Sequence, residues 1–264
     1  MPPLFTVDAF TDRPFAGNPA AVCLLSNGWA DDRWMQAVAA ETNLAETAFA
    51  WRRPDGVFPL RWMTPLVEVD LCGHATLATA HVLWQTGTAD PGEAIRFDTR
   101  SGTLTAARRG DEIELDFPAK PAEPTDPPPG LLEAVGAAPR FVGRNQFDYL
   151  LELGSASELR TLRPDFRRLG AVDCRGVIVT APSDDKNFDF FSRFFAPAVG
   201  IDEDPVTGSA HCCLAVHWAG KLGKADLTGY QASARGGTVR VSVVGDRVKL
   251  GGQAVTVMRG ELLP

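Results

Sequence analysis

The strongest constraint on the fold is an internal repeat that divides the chain into two halves. Gly73-His74-Ala75 returns as Gly208-Ser209-Ala210, 135 positions later. The same spacing relates two further pairs of segments, Arg-Ser-Gly-Thr-Leu at 100–104 with Arg-Gly-Gly-Thr-Val at 235–239, and Gly-Asp at 110–111 with Gly-Asp at 245–246. Two copies of this length predict two similar lobes and not a solenoid, which needs several short repeats.

Each copy of the repeat begins a stretch of small and apolar residues with helical character. The stretch at 72–85 is apolar on nearly all sides except at His81, and 208–219 is its counterpart. A helix without a polar face must be enclosed by other elements, and the predicted strands can enclose it only by curling into a partial barrel. We therefore predict an α+β fold of two pseudo-symmetric lobes, each a β-barrel-like curled sheet around a central helix.

A proline-rich segment separates the two halves. Residues 118–130 contain six prolines among thirteen residues, a composition typical of a linker. This predicts a first lobe at 1–117 and a second lobe at 131–254. A last strand, at 255–262, has no counterpart before the linker, so we expect 255–264 to return and complete the first lobe.

The composition argues against several classes of function. A net charge of −7 and the lack of a basic run disfavour nucleic-acid binding. No apolar run reaches the ~18 residues of a membrane span, and the first residues do not resemble a secretion signal. The five cysteines form neither an even set nor a zinc-like cluster. We expect no membrane contact, no metal, no disulfide framework and a cytoplasmic location.

The two repeated glycines are candidates for binding an anion. A glycine followed by a small polar residue at a helix start leaves backbone N–H groups exposed, and these groups together with the helix dipole favour a carboxylate or phosphate. A single motif of this kind more often serves only close helix packing. Because Gly73 and Gly208 both occur beside a polar residue, we expect the two starts to face each other across a cleft that binds a small molecule.

Two residues are the first candidates for moving a proton. Glu46 lies among apolar neighbours, where burial would raise its pKa and suit it to acid/base catalysis. On composition alone it could equally be a solvated strand-edge residue. His74, at the first helix start, can accept or donate a proton, or it can simply cap the helix.

Three further residues beside the motifs are open to more than one interpretation. Asp204 precedes a proline and could be only a turn residue. Cys72 is either a thiolate activated by the helix start or a small buried apolar side chain. Ser209 has no evident base beside it, so we interpret it as a hydrogen-bond donor and not as a nucleophile. The remaining histidines have no ligand-like spacing, and we expect them to be structural: His81, His211 and His217.

Five segments in order resemble the PhzF-like, phenazine-biosynthesis family: Val-Asp-Ala-Phe-Thr at 7–11, Phe-Ala-Gly-Asn-Pro at 15–19, Asn-Leu-Ala-Glu-Thr-Ala-Phe at 43–49, Cys-Gly-His-Ala-Thr at 72–76 and Glu-Asp-Pro-Val-Thr-Gly-Ser-Ala at 203–210. This resemblance implies the diaminopimelate-epimerase fold and a homodimer. It also implies isomerisation without a cofactor, as of a dihydro-hydroxyanthranilate, with the proton moved by Glu46 and assistance from His74, Asp204 and Ser209. The substrate-binding positions that it implies are Asn18, Cys72, Gly73, Gly208 and Ser209.

One departure from the wider superfamily affects the mechanism. Diaminopimelate epimerase uses two cysteines as opposing bases, one before each helix-start glycine, whereas here the two positions hold Cys72 and Thr207. Threonine is no thiolate base, so a symmetric two-thiol racemase is disfavoured. Three hypotheses remain: an isomerase acting on a small carboxylate through Glu46, a racemase or epimerase in which Cys72 is a base, and a non-catalytic small-molecule-binding protein. A dehydrogenase is disfavoured because no GxGxxG follows a strand.

Overall fold

A computed structural model describes residues 1–263. The contacts among these residues divide the chain into two units. The first unit holds Met1–Asp116 together with the part of the chain from Gly251 onward, and the second holds Phe117–Leu250. Each unit contains one of the two repeated glycines, at the start of a long helix.

The first unit begins with eight strands and two helices. In chain order they are β1 (Pro3–Ala9), β2 (Asn18–Leu24), α1 (Asp32–Thr42), β3 (Glu46–Ala50), β4 (Phe58–Met63), β5 (Glu68–Val69), α2 (Gly73–Gln85), β6 (Ile95–Thr99), β7 (Gly102–Arg109) and β8 (Glu112–Pro118). Strands β1 and β2 pair antiparallel, β2 and β3 parallel, and β3 and β4 antiparallel. Strands β6, β7 and β8 form an antiparallel meander.

Helix α1 illustrates how local chemistry sets the ends of an element. The carboxylate of Asp31 accepts the backbone N–H groups of Arg33 and Trp34 and so caps the helix start. Asn43 adopts a left-handed conformation, with φ of 50°, and ends the helix. The apolar side of α1, which includes Met35, is buried against Phe49 of β3.

The second unit repeats the arrangement of the first. Its elements are β9 (Glu123–Pro124), α3 (Leu131–Val135), β10 (Phe141–Arg144), β11 (Asp148–Glu152), α4 (Ala156–Thr161), α5 (Phe166–Leu169), β12 (Gly176–Pro182), β13 (Phe190–Phe195), α6 (Gly208–Leu222), β14 (Asp226–Gln231), β15 (Gly237–Val244) and β16 (Arg247–Gly252). Strands β11 and β12 pair parallel and β12 and β13 antiparallel, as β2, β3 and β4 do in the first unit.

The two central helices are buried because neither has a polar face. Helix α2 packs against β1, β2 and β3, and α6 packs against β14 and β15. Trp218 of α6 stacks on Phe190 of β13 at 5.8 Å between ring centroids, and its indole N–H donates to the Thr180 hydroxyl of β12 at 2.9 Å. Each unit is thus a curled sheet around one buried helix, which confirms the predicted fold class. Within residues 1–263, no helix is both long enough and apolar enough to cross a membrane.

The last strand belongs to the first unit. The sequence predicted a strand over 255–262 that returns to the first lobe. Strand β17 (Ala254–Glu261) pairs antiparallel with β1, from Ala9 opposite Ala254 to Pro3 opposite Glu261. The first strand therefore lies between β2 and β17.

The proline-rich segment at 118–130, predicted as a linker, lies within the second unit. The N–H of Ala119 donates to the carbonyl of Asp246 at 2.9 Å, and that of Lys120 to the carbonyl of Cys212 at 3.2 Å. Strand β9 pairs with β10. Proline removes a donor only at its own position and favours extended backbone, so the residues between the prolines still bond to the unit.

Candidate active site

Four predicted site residues meet in the first unit. The carboxylate Oε2 of Glu46 lies 3.1 Å from Nε2 of His74. On the other side of the ring, Nδ1 of His74 lies 3.2 Å from the Asn18 side-chain amide and 3.5 Å from the Cys72 sulfur. All four side chains are largely or wholly buried. They form a cluster that can hold and exchange protons.

Backbone elements of the first unit place these side chains. Asn18 and Glu46 each begin a strand, and Glu46 is opposite Ala20 in the parallel pair β2–β3. Cys72 and His74 flank the glycine that begins α2. One β-sheet edge and one helix start therefore supply the whole cluster.

The loop before Asn18 has a demanding backbone conformation. Phe10, Phe15 and Gly17 all have positive φ, at 62°, 66° and 63°. A Cβ on Gly17 would lie 2.1 Å from the carbonyl oxygen of Ala9, so only glycine fits there. The N–H of Phe15 donates to the buried carboxylate of Asp8 at 2.6 Å. These contacts hold the loop that delivers Asn18 to His74.

The charges of Glu46 and His74 follow from their proximity. Burial alone raises the pKa of Glu46, but the positive charge and hydrogen bond of His74 outweigh it and leave that pKa below its ordinary value. Burial likewise opposes the charged form of His74, yet the negative charge of Glu46 and hydrogen bonds with Cys72 and Glu46 raise its pKa well above the ordinary value. The expectation of a raised Glu46 pKa was therefore wrong. The resting pair is a carboxylate beside an imidazolium.

Cys72 is a neutral thiol in this environment. Burial, and then the negative charge of Glu46, raise its pKa above the ordinary value. Ligand atoms of Glu46, Cys72 and His74 all lie within 4.8 Å of one another, a set that could hold a metal ion once thiol and imidazole lose their protons. The raised pKa values of both groups favour the protonated forms, in which neither is a ligand.

Both long helices begin without a side-chain cap. The residue before α2 is Cys72 and the residue before α6 is Thr207, and neither side chain bonds to its helix start. The hydroxyl of Thr207 donates instead to the carboxylate of Asp204. The first N–H groups of each helix are thus left to other acceptors, which is the condition for an anion site.

In the second unit, Asp204 and Thr207 belong to a buried polar network completed by Gln231. The amide of Gln231 accepts the Thr207 N–H at 2.9 Å and donates to the Asp204 carbonyl at 2.7 Å. Thr207, at the position equivalent to Cys72, therefore orients Asp204. Gln231 was not among the sequence candidates, because nothing local distinguishes it.

Ser209 lies beside a charge pair that the sequence did not predict. Arg175 donates from Nη2 to the Ser209 hydroxyl at 3.1 Å, and from Nε and Nη2 to the carboxylate of Asp148. Asp148 begins β11 as Asn18 begins β2. The repeated order of strands is the sequence signal that could have pointed to Asp148. Within residues 1–263 no base contacts the Ser209 hydroxyl, and in its contact with Arg175 the Ser209 oxygen accepts, whereas the sequence interpretation was a hydrogen-bond donor.

A matched pair of ion pairs braces the segments that lead to the two helices. Arg61 forms a bidentate bond with Glu68 at 2.7 Å, and Arg193 with Glu203 at 2.7 and 2.8 Å. Each glutamate stands five residues before its helix-start glycine. Bidentate guanidinium–carboxylate pairs have a fixed geometry. Each pair therefore holds the segment that carries the glutamate against the strand that carries the arginine.

Each of the other histidines contacts a residue of its own unit. His81 contacts the Thr256 hydroxyl at 3.0 Å and His217 the Glu152 carboxylate at 2.6 Å. His211 is fully buried, which lowers its pKa to about 4, and its Nδ1 donates to the carbonyl of Thr207. These contacts join the central helices to neighbouring backbone and strands, which is a structural role.

The predicted residues fall into two sets, one in each unit. The first unit holds Asn18, Glu46, Cys72, Gly73 and His74, and the second holds Asp204, Gly208 and Ser209. The first set meets around the ring of His74. In the second set Asp204 contacts Thr207, while Ser209 contacts Arg175.

Comparison with known proteins identifies relatives over the full length. A protein-family model described as phenazine biosynthesis-like protein matches residues 7–260. An uncharacterized isomerase from Halalkalibacterium halodurans is 53% identical over 262 residues, which cover 99% of this chain and 98% of the relative. An uncharacterized isomerase from Pseudomonas aeruginosa is 52% identical over 259 residues, covering 98% of each chain.

Solved structures of other proteins have the same fold as this chain. A phenazine biosynthesis protein of the PhzF family from Enterococcus faecalis superimposes with a TM-score of 0.95 at 39% identity, covering 100% of this chain and 99% of that one. A probable proline racemase from Agrobacterium radiobacter has a TM-score of 0.64 at 11% identity, covering 100% and 93%. The second likeness is one of fold alone.

Proposed function

Because the chain belongs to the phenazine biosynthesis-like, PhzF-like family, we propose that it is a cofactor-independent isomerase that moves a proton on a small carboxylate substrate. The observation that carries this proposal is the pair formed by Glu46 and His74, in which a carboxylate and an imidazolium lie 3.1 Å apart. Such a pair contains both a proton acceptor and a proton donor.

In the proposed reaction Glu46 is the base. Its carboxylate takes a proton from a substrate carbon, and the electrons of the broken C–H bond enter the π-system of the substrate. The same carboxyl group then returns the proton to a different carbon. Atoms and electrons balance without an oxidant or reductant, and the double bond has moved.

His74 stabilises the negative charge that forms in this step. A cation held in a buried position interacts strongly with charge that develops nearby, because little water screens it. Its raised pKa keeps the imidazolium charged near neutral pH. The Cys72 sulfur lies 3.5 Å from Nδ1, where it can accept the N–H of the imidazolium, and the buried Asn18 side chain packs on the same side of the ring, so their proposed role is to position His74.

The helix starts are the proposed anion-binding groups. The N–H groups around Gly73 and His74 in the first unit, and around Gly208 and Ser209 in the second, receive no cap from the preceding side chain. Each start is therefore available to a carboxylate oxygen. In the second unit Asp204 is a further candidate for acid/base work, oriented by Thr207.

The alternative mechanism uses Cys72 as the base of a racemase or epimerase. Its support is the contact between the Cys72 sulfur and His74 at 3.5 Å. Against it stands the raised pKa of the thiol, because the thiolate is the reactive form. Glu46, already ionised in the resting pair, is the better base.

The proposal is tested by proton exchange in heavy water. The protein is incubated with a set of small carboxylates that includes unsaturated ring acids and a dihydro-hydroxyanthranilate, and deuterium uptake at carbon is followed by NMR. We expect uptake together with a shifted double bond for at least one compound. Inversion of a stereocentre without a shifted bond would favour the epimerase, and binding without any exchange would favour a small-molecule-binding protein.

A further inference from the structure

The guanidinium of Arg175 is held in a fixed position beside Ser209. Its Nε and Nη2 donate to the two carboxylate oxygens of Asp148, and Nη2 also donates to the Ser209 hydroxyl at 3.1 Å. The guanidinium carbon lies over the rings of Phe147 and Phe194, at 5.1 and 5.8 Å from their centroids. Asp148 is only 1% exposed, so its carboxylate anchors the pair from within the unit.

One edge of this guanidinium has no acceptor within residues 1–263. Arginine carries five N–H donors, and the one on Nε and the two on Nη2 are taken by Asp148 and Ser209. Among the residues that the structure describes, nothing accepts the two N–H groups of Nη1. The side chain is 36% exposed, so a ligand in solution can reach it. The Ser209 oxygen accepts from Arg175, which leaves its own O–H free to donate.

In both units the second residue of the central helix contacts a charged side chain from the start of a neighbouring strand. Glu46 begins β3 and contacts His74, the second residue of α2. Arg175 stands directly before β12 and contacts Ser209, the second residue of α6. In each unit the second residue of the central helix thus contacts a charged group, a carboxylate in one and a guanidinium in the other, although Arg175 stands one position before the equivalent of Glu46, which is Gly176.

We propose that Arg175 and Ser209 form a carboxylate-binding site in the second unit, with Nη1 of Arg175 and the Ser209 hydroxyl as donors. A planar guanidinium that is already oriented suits a carboxylate better than a lysine would. The partly exposed ring of Phe147 favours a carboxylate attached to an unsaturated ring. Ser209 is already a substrate-binding position by the family resemblance, so the new element is Arg175, and the inference rests on the proposed anion site at the start of α6.

The test measures the affinity for benzoate and for its neutral amide, benzamide, by titration calorimetry. Replacing Arg175 alone would leave buried Asp148 without its cation, so the main variant is Asp148→Asn/Arg175→Gln. Arg160→Gln/Asp184→Asn is the matched control, because Arg160 also pairs with an aspartate and lies over a phenylalanine ring, 5.0 Å from the Phe191 centroid. Thermal unfolding checks that each variant is folded.

We expect the affinity for benzoate to fall roughly 10- to 100-fold in the Asp148→Asn/Arg175→Gln variant, the usual effect of losing hydrogen bonds to a charged group. Arg175→Lys, which keeps Asp148 paired with a cation, should also weaken benzoate binding. The affinity for benzamide, and benzoate binding by the control variant, should not change.

Three results would overturn the site: unchanged benzoate affinity in the Arg175 variants, an equal loss in the control, or no saturable benzoate binding by the wild-type protein. Glu46→Gln should bind benzoate as the wild type does. Loss of proton exchange in that variant therefore tests the isomerase proposal separately from the carboxylate site.

Discussion

Glu46 and His74 are 3.1 Å apart, inside a cluster from which water is largely excluded. Burial disfavours charge on either group alone, but each offsets that cost for the other, and the result is a carboxylate–imidazolium pair. The charge of each group therefore depends on the presence of the other.

The first prediction concerns Glu46→Gln. The amide keeps the shape of the side chain but cannot accept a proton, so turnover should fall by about 10²- to 10⁴-fold, the range for a positioned general base. Substrate affinity should be kept, because the groups proposed to bind the carboxylate are the helix-start N–H groups and not Glu46. Deuterium uptake and a binding titration measure the two effects. Glu41→Gln, at an exposed position on α1, is the control for loss of one negative charge, and equal turnover in both variants would contradict the role of Glu46.

The second prediction concerns Cys72→Ser. On the proposed mechanism the neutral thiol only positions His74, so turnover should change little. Alkylation of Cys72 should be slow at neutral pH and faster as the pH rises, since burial raises its pKa. Cys23→Ser, at another buried thiol, shows what a hydroxyl costs in stability alone. Abolished turnover in Cys72→Ser, with wild-type turnover in Cys23→Ser, would favour the epimerase mechanism.

The third prediction concerns pH and stability. The lowered pKa of Glu46 stabilises the fold above its unfolded value of about 4.3, and this contribution is lost as the pH falls through the folded pKa. The raised pKa of His74 stabilises the fold fully below its unfolded value of about 6.5, and this contribution is lost as the pH rises through the folded pKa. The coupling between the two groups should therefore be greatest between these two unfolded values.

Urea unfolding of Glu46→Gln, His74→Asn and the double variant measures this coupling as a function of pH. A coupling free energy that stays constant from acid to alkaline pH would show that the two groups are not an ion pair.

The fourth prediction concerns Gly17→Ala. A Cβ there would lie 2.1 Å from the Ala9 carbonyl oxygen. The free energy of unfolding should therefore fall by more than the ~1–2 kcal/mol that a left-handed conformation alone costs a residue with a Cβ. Turnover should also fall, because the displaced loop carries Asn18 away from His74. Gly28→Ala is the control, since Gly28 has φ of +81° but nothing within 4 Å of the added Cβ. The free energy of unfolding in urea and the turnover are measured for both variants. Equal losses of stability and turnover in the two would show that the clash with the Ala9 carbonyl does not matter.

The fifth prediction concerns Glu203→Gln. This change leaves the guanidinium of Arg193 charged and mostly buried, and we expect a loss of ~3 kcal/mol in the free energy of unfolding. Asp184→Asn breaks the exposed pair with Arg160 and should have little effect. Chemical unfolding of the two variants gives the comparison, and similar stabilities would mean that the Arg193 pair does not brace the segment before α6.

The sequence alone determined the elements that depend on local pattern. Residues 72–85 and 208–219 lack a polar face, so each was predicted to be a buried helix wherever the rest of the chain lies. The glycines of the repeat also marked where these helices begin, at Gly73 and Gly208. Both features depend on neighbours within a few positions, which a sequence displays directly.

Only the tertiary structure decided which charges meet. The pKa of Glu46 was expected to rise, because its neighbours in the chain are apolar, but His74, 28 positions away, reverses the shift. Arg175 reaches Ser209 across 34 positions, and the prolines of 118–130 lie in a segment bonded to the second unit. The physical reason is that a pKa or a hydrogen bond sums opposing contributions from whatever groups folding brings within a few ångströms, and separation along the chain does not specify that distance.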